Sequence, residues 1–353
     1  MKAKDLAKPG TMLSRRSFIK AMGYSLTGLI GLTNTPRGLL NQTSYNTGKP
    51  PIIGPSKMSY VVLPDTQYYC SHNNGIFQRM TQWIVENLTT YNIKMVLHEG
   101  DIVNDPTRIR QWEVAKEAID NLDRNSIPTL LSLGNHDAVT IRNPIDFRRY
   151  FPVSRYSVLE DRLRSISEYG TYEGHPENAY LKQEVGKHNF LYLTLEFAPR
   201  RSVVEWARKV IEKHSHSFVV VVTHLFLYHD GSLSGARHPH NASLYGLTDH
   251  YTGEKLWEDL ISRSSDIKVV HSGHHVNGPY SAVREGHGVN GNRVSQQYAN
   301  YQDMYNGGDG WMRMVTVDME TWESKVSTYT PYGDEWSSDP LENFNVNFDR
   351  WVS

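Results

Sequence analysis

Apolar and polar residues along this chain follow two periods in turn, and the alternation predicts strands separated by helices. The runs SYVVLPD (59–65) and KMVLHEGD (94–101) are apolar until they end in an acid, which is typical of buried β-strands. Residues 76–88 and 108–122 have apolar side chains at helical spacing, and IPTLLSLGNHD (127–137) is a third strand. Strands that alternate with helices favour right-handed crossovers and parallel pairing.

The second half of the chain carries strand patterns with fewer helices between them. A hairpin is predicted at 179–197, around Gly186-Lys187, and a helix at 203–214. Further β patterns are SFVVVVTH, DIKVVHSGHH, RVSQQYANYQ, WMRMVTVDM and KVSTYTP. Together these patterns predict an α/β fold, a four-layer α/β/β/α sandwich in which each half of the chain builds one of two mixed sheets flanked by helices. We expect this domain to span residues 57–335, with 336–353 as a C-terminal tail.

Residues 1–56 lack this regular pattern. SRRSFIK at 14–20 precedes a weakly apolar run that is too short for a membrane span. The segment resembles a bacterial twin-arginine signal, whose pattern is matched by Ser14, Arg15, Arg16, Phe18 and Lys20. The resemblance implies a signal region at 1–35, a linker at 36–56, and export of the folded protein by the twin-arginine machinery to the periplasm or the cell exterior. A basic, disordered N-terminus is the alternative.

Charge and cysteine content narrow the possible functions. Lys and Arg total 37 against 38 Asp and Glu, so the chain has no basic footprint for nucleic acid or an anionic membrane, and a small-molecule substrate fits better. The lone Cys70 excludes an intrachain disulfide and a cysteine-based zinc site. A bound metal must therefore be held by His, Asp, Asn or Gln, and the chain has 16 histidines to supply ligands.

Potential ligands stand where five of the predicted strands end. They are Asp65-Thr66-Gln67, Gly100-Asp101, Gly134-Asn135-His136-Asp137, His224 and Gly273-His274-His275. The carboxyl ends of strands in open α/β sheets converge on one crevice, so these side chains can meet there. An isolated acid after a strand is more often a helix cap or turn residue, which is the alternative for Asp65 or Asp101 taken singly. The joint set indicates a functional site.

In this order the motifs resemble those of the calcineurin-like metallophosphoesterase superfamily, and the likeness covers about residues 58–330. The family pattern is Asp-x-His, Gly-Asp-x-x-Asp, Gly-Asn-His-Asp/Glu, an isolated His and Gly-His-x-His. Its counterparts here are DTQ (65–67), GDIVND (100–105), GNHD (134–137), His224 and GHHV (273–276). DTQYY and the later YQDMYNGGDGW are similar to the branch that has Gln in the first motif.

The resemblance implies a centre of one or two divalent ions, Mn, Fe or Zn, and hydrolysis of phosphomonoesters or phosphodiesters by in-line attack of an activated water. One ion would be held by Asp101, Asn135, His224 and His274. The other would share Asp101 and add Asp65 and Gln67. His136 would assist the leaving group instead of binding metal.

The residue that supports His136 is left open by the sequence. Many relatives have an Asp at the position of Asn104, whereas in this chain Asp105 comes one residue later. Either residue can orient His136. If Asn104 does so, the imidazolium gains less electrostatic support and should be a stronger acid.

Two positions depart from the family pattern, and both concern the ion that Asp65 serves. Gln67 offers a neutral amide oxygen, and Val276 offers no donor. Three interpretations follow: His275 or His271 turns inward to complete a weaker second site with Gln67, or one ion is tight and the other exchangeable, or the chain is a catalytically weakened phosphate- or glycan-binding protein. We favour a working hydrolase because the other ligand positions are intact.

Overall fold

The computed structural model describes residues 53–156 and 166–348. The twin-arginine pattern, the rest of the predicted signal region and most of the predicted linker lie outside these residues. Within the described part of the chain, no helix is both long enough and apolar enough to span a bilayer.

The described residues form fourteen strands and six α-helices. The strands are β1 (Lys57–Leu63), β2 (Ile93–His98), β3 (Thr129–Leu131), β4 (Ile166–Tyr172), β5 (His175–Val185), β6 (His188–Leu195), β7 (Phe218–Thr223), β8 (Ile267–Ser272), β9 (Ser281–His287), β10 (Arg293–Ala299), β11 (Met312–Asp318), β12 (Glu323–Thr330), β13 (Glu335–Trp336) and β14 (Asn343–Asn347). The helices are α1 (Gln67–His72), α2 (Ile76–Glu86), α3 (Ile109–Arg124), α4 (Ile145–Tyr150), α5 (Arg201–Lys213) and α6 (Gly253–Asp259). Three short 3₁₀ helices lie at Ala242–Tyr245, Ile261–Arg263 and Tyr305–Gly307.

The strands assemble into two seven-stranded mixed sheets. The first sheet has the order β13-β12-β11-β1-β2-β3, with β14 also paired to β12, and its β1, β2 and β3 are parallel. The second has the order β4-β5-β6-β7-β8-β10-β9, and its β6, β7, β8 and β10 are parallel. Because neighbouring parallel strands end at the same edge, the loops that follow them share one edge of each sheet.

The prediction that each half of the chain builds one sheet is wrong, because the last four strands join the first sheet. β1 is buried from Met58 to Leu63, so both of its edges need a partner inside the protein. β2 occupies one edge in parallel, and β11 takes the other in antiparallel register, with Val61 opposite Met314. β14 lies in the segment expected as a tail, yet Val346 and Phe348 pack in the core between the sheets. The folded domain therefore continues to residue 348.

Three apolar cores separate four layers, as the sequence pattern predicts. On the outer face of the first sheet, α2 and α3 bury an apolar stripe that includes Phe77, Met80 and Trp112. Alternate residues of β1, such as Tyr60, face the opposite side and meet the second sheet. α5 covers the outer face of that second sheet with residues such as Val203. The α/β/β/α sandwich of two mixed sheets flanked by helices is thus confirmed.

Among the hydrogen bonds between the two sheets, one joins two strands that lead into the crevice. The hydroxyl of Tyr60 on β1 lies 3.0 Å from Nε2 of His271 on β8, and both side chains are fully buried. Asp65 follows β1 and His274 follows β8, so this contact fixes the spacing between two strands that lead into the crevice.

Candidate metal centre

Three buried side chains from three strand ends converge in the crevice. Asp101 follows β2, His224 follows β7 and His274 follows β8, and one potential ligand atom from each lies within 4.8 Å of the other two. Oδ2 of Asp101 is 3.2 Å from Nε2 of His224. The first sheet thus supplies the carboxylate and the second sheet the two imidazoles.

The backbone at this crevice takes conformations that side chains disfavour. Asp101 has φ 50° and His274 has φ 77°, both in the left-handed region that non-glycine residues rarely adopt. A Cβ at Gly134 would lie 2.1 Å from both the amide nitrogen and Oδ1 of Asp101, so only glycine permits this approach. Conformations of this kind cluster at functional sites, where the surrounding packing maintains them.

Backbone carbonyls orient the two imidazoles. Nδ1 of His224 donates to the carbonyl of Glu99 at 2.9 Å, and Nε2 of His274 donates to the carbonyl of His240 at 2.8 Å. A carbonyl only accepts, so the bonded nitrogen of each ring carries the proton. Nε2 of His224 and Nδ1 of His274 are left as the atoms that can bind a cation, an arrangement typical of metal-ligating histidines.

The burial and the charges at the crevice shift the pKa values of three side chains. Burial lowers the pKa of His224, but the charges of Asp101 and Asp65 raise it to about 9. Burial raises the pKa of Asp101, but the positive charge of His224 brings it below its usual range. Burial, with the charge of His224, lowers the pKa of His274 to about 3. The carboxylates therefore favour one positive charge between themselves and His224.

Three side-chain oxygens of the other predicted ligand residues are buried and lack a hydrogen-bond partner among the described residues. They are Oδ1 of Asp65, Oε1 of Gln67 and Oδ1 of Asn135. Oδ1 of Asp65 also lies 3.9 Å from Nδ1 of His224. Buried polar atoms are nearly always paired, so several unpaired acceptors in one crevice are expected where a cation binds. Oxygen and imidazole donors together fit a divalent transition ion.

His136 is held beside the trio by two hydrogen bonds. Its backbone N–H donates to Oδ1 of Asp101 at 2.8 Å, and its Nδ1 donates to the backbone carbonyl of Asn104 at 2.8 Å. Nε2 is therefore the free atom of this half-buried ring. The Asp105 carboxylate turns elsewhere and accepts from Thr107 and Arg108. Of the two candidates to support His136, the structure places Asn104 in contact, through its main chain.

The comparison with known proteins gives the family. Residues 58–304 match the calcineurin-like phosphoesterase family. The chain belongs to this family. Its members usually hydrolyse phosphoesters with bound metal ions, and the motif resemblance is confirmed at that level.

Similar proteins include one curated sequence and several solved structures. The uncharacterized protein YvnB of Bacillus subtilis (strain 168) is 30% identical over 290 residues, which are 79% of this chain and 20% of YvnB. The chain thus spans about a fifth of that relative's length. Purple acid phosphatase PPD1 from yellow lupin seeds has a TM-score of 0.49 at 12% identity, over 82% of this chain and 54% of PPD1. The calcineurin-like phosphoesterase YfkN from Bacillus subtilis has a TM-score of 0.37 at 14% identity, over 82% and 90%.

The other two candidate histidines of this family member, His271 and His275, have different contacts. Nε2 of His271 bonds Tyr60 between the sheets. The His275 ring packs against Tyr228 and against His274, with ring centroids 4.7 and 4.9 Å away. Neither ring belongs to the cluster that Asp101 forms with His224 and His274 within the described chain.

Three residues that support the centre, Glu99, Asn300 and Gln302, were not predicted, and Asp137 was predicted only as a potential ligand. Asp137 accepts from the amides of Ile102, Val103 and Gly134, so it joins the loops that follow β2 and β3. Glu99 supplies the carbonyl for His224. Asn300 and Gln302, in the loop after β10, bond Asp65 and Gln67. GNHD contains Asp137, and YQDMYNGGDGW begins one residue after Asn300 and contains Gln302, so these motifs were the available signals.

Proposed function

We propose that the protein is a metal-dependent hydrolase of phosphomonoesters or phosphodiesters. The observation that carries the proposal is the convergence of Asp101, His224 and His274, with ligand atoms within 4.8 Å of one another in a buried crevice. The buried, unpaired oxygens of Asp65, Gln67 and Asn135, the other predicted ligands, support it further.

Each residue has a role that its contacts suggest. One divalent ion would be held by Asp101, Asn135, His224 and His274. A second would share Asp101 and add Asp65 and Gln67. When bound, such ions polarise a phosphoryl group and lower the pKa of a water for in-line attack.

His136 is proposed to protonate the leaving-group oxygen. Its Nδ1 donates to the Asn104 carbonyl, so the transferable proton is the second one, which Nε2 carries when the ring is doubly protonated.

A second candidate function is phosphate or glycan binding without turnover. The observation that favours it is the loss of a donor at Val276, together with the neutral Gln67. It predicts ligand affinity with no metal-dependent hydrolysis, and turnover measurements on the same preparation distinguish the two.

The decisive experiment compares Asp101→Asn with Asp105→Asn. Purified full chain is assayed with p-nitrophenyl phosphate and bis-p-nitrophenyl phosphate, with added Mn²⁺ and after chelation, and its metal content is measured. We expect Asp101→Asn to abolish turnover and metal retention while the protein stays folded. Asp105→Asn should behave as wild type, since its carboxylate lies outside the crevice. Wild-type activity in Asp101→Asn would refute the proposed function.

We also propose that the protein is exported by the twin-arginine machinery to the periplasm or the cell exterior. Support comes from SRRSFIK at 14–20, which lies outside the described residues. Replacing Arg15 and Arg16 with Lys should retain the protein in the cytoplasm, as measured by cell fractionation. Unchanged export would contradict this route.

A further inference from the structure

The loop that carries Asn135 and His136 is bonded to both sheets. The backbone amide of His136 donates to Oδ1 of Asp101, which follows β2 of the first sheet, at 2.8 Å. Later in the same loop, the guanidinium of Arg142 bonds the segment that follows β6 of the second sheet. The loop is therefore held to the first sheet at His136 and to the second sheet at Arg142.

Arg142 joins its loop to two other segments with one head group. Nη1 donates to Oε1 of Glu196 at 2.8 Å, and Nη2 donates to the carbonyls of Ala198 and Asp249, each at 2.8 Å. The Arg142 side chain is 23% exposed, and that of Glu196 is fully buried. A guanidinium presents its donors in a rigid planar fork, whereas an ammonium is a compact point charge. Lysine therefore cannot reproduce these three bonds in the same geometry.

Glu196 is held in place by other partners as well as by Arg142. Nε and Nη2 of Arg200 donate to its carboxylate at 2.9 and 2.8 Å, and Nδ2 of Asn178 donates to it at 3.1 Å. Burial raises the pKa of Glu196, but the hydrogen bond from Arg200 and the charges of Arg142 and Arg200 bring it below its usual range. The segment after β6 is therefore a fixed, charged anchor for Arg142.

The same segment packs against the two imidazoles of the candidate metal centre. Phe197 is fully buried, and its ring centroid lies 5.8 Å from that of His224 and 5.0 Å from that of His274. Ala198 has φ 46°, a left-handed conformation that persists only where neighbouring contacts maintain it, and its carbonyl accepts from Arg142. The anchor of Arg142 is thus in direct contact with two of the proposed ligands.

We propose that Arg142 is a positioning residue, which holds the loop of Asn135 and His136 in place relative to His224 and His274. The proposal rests on the metal centre of the proposed function, in which Asn135 shares one ion with the two imidazoles. Without the Arg142 side chain, the imidazoles keep their carbonyl partners, whereas the loop of Asn135 loses its bonds to the end of β6.

Titration of the chelator-stripped full chain with Co²⁺ tests this without reference to turnover. The titration gives the affinity of the ion, and the absorption spectrum of bound Co²⁺ reports the geometry of its ligands. We expect Arg142→Met to weaken Co²⁺ binding about tenfold and to change the spectrum, as loss of a residue that supports a ligand does. Arg142→Lys keeps the charge beside Glu196 but not the fork, so it should stay folded and show both changes.

A double-mutant cycle identifies the residue through which Arg142 acts. If Arg142 acts by placing Asn135, then Arg142→Lys should add less than about twofold to the loss of Co²⁺ affinity that Asn135→Ala causes alone. Independent effects would multiply instead. A multiplied loss would show that Arg142 supports the imidazoles or the fold, and it would overturn the proposal.

Arg148→Met is the matched control. Arg148 also bonds a buried carboxylate, with Nε 3.1 Å from both oxygens of Glu177 on β5, and its side chain is 24% exposed. Its other partner is Asn143, in its own loop, and not the segment after β6. Arg148→Met and Arg142→Met should both lower the temperature of thermal unfolding, but only Arg142→Met should change the affinity and the spectrum of Co²⁺.

The outcomes separate the two proposals. If wild type binds no Co²⁺, the metal centre of the proposed function fails, and the positioning role fails with it. If wild type binds Co²⁺ and Arg142→Lys binds it with the same affinity and spectrum, the positioning role is refuted while the hydrolase stands. Equal changes in Arg148→Met and Arg142→Met would also refute it, because they would follow from lost stability alone.

Discussion

The two sheets contribute different ligand atoms to the crevice, and different kinds of group orient the ligands of each sheet. Among the proposed metal ligands, those of the first sheet offer only oxygen, from Asp65, Asp101 and Asn135, while the second sheet supplies the imidazoles of His224 and His274. The imidazoles are oriented by main-chain carbonyls, whereas Asp65 and Gln67 are oriented by other side chains. A hydrogen bond to a main-chain carbonyl survives most substitutions of the residue that provides it. A hydrogen bond from a side chain is lost when that side chain is replaced. The oxygen side is therefore the half that single substitutions outside the ligands can alter.

The largest effect should come from removing an imidazole ligand. His274→Ala should abolish ion retention and lower turnover more than about 10³-fold, since several kcal/mol of transition-state stabilisation depend on the bound ion. His275→Ala is the neighbouring control, because that ring lies outside the cluster, and it should keep both ion and activity. Metal analysis measures the retained ion in each variant, and steady-state kinetics measure its turnover. Equal losses in both variants would show that the second sheet contributes through packing and not through one ligand.

A smaller effect is expected at His136, which belongs to neither ligand set. His136→Ala should lower turnover about 10²-fold on substrates with poor leaving groups and much less on p-nitrophenyl esters, whose leaving group needs little protonation. Metal content should be unchanged. An equal loss on all leaving groups would instead assign His136 a role in binding or charge stabilisation.

Ion affinity at the site that contains His224 should change by about tenfold per pH unit, and this pH dependence should distinguish it from the site of Asp65 and Gln67. His224 has its pKa raised to about 9 in the metal-free fold, so the ion must displace a proton below that pH. Affinity at the imidazole site should therefore rise from pH 6.5 and level off above about pH 9. Calorimetry in buffers of different ionisation enthalpy counts the proton released, and His224→Asn should remove both slope and proton. If the ion affinity of wild type did not change with pH, the ion would not displace a proton from His224, and the prediction would be wrong.

The smallest effect is expected at Glu99, which supports His224 only through its carbonyl. Glu99→Gln keeps that carbonyl and a side chain of similar shape, so ion affinity should change well below the tenfold typical of outer-sphere partners. Gln302→Leu is the contrasting variant, because it removes a side chain that bonds Gln67. A large loss in Glu99→Gln would show that its buried side chain also acts on the centre.

Much of the fold and of the cluster could be predicted from the sequence because the signals are local. Apolar runs define β1, β2, β7 and β8, and each ligand-bearing motif stands next to its own strand. The pairing of β11 with β1 has no such local signal, since it depends on which edge of a buried strand is still free. This is why the division of the sheets by halves of the chain was wrong.

The support of the first motif could not be predicted for a similar reason. Asn300 contacts Asp65 across 235 positions of sequence, and Gln302 contacts Gln67 across the same separation. Nothing near DTQ indicates which end of the Gln67 amide faces the crevice. Likewise, the sequence offers Asp105 as a carboxylate partner for His136. In the structure its side chain accepts from the Thr107 amide, and His136 donates to the main-chain carbonyl of Asn104.

The Tyr60–His271 hydrogen bond has a consequence for how the centre comes into being. It joins β1 to β8, the strands that lead to Asp65 and His274, and the cluster of Asp101, His224 and His274 takes its ligands from both sheets. The site formed by these three side chains is therefore complete only when the two sheets are docked.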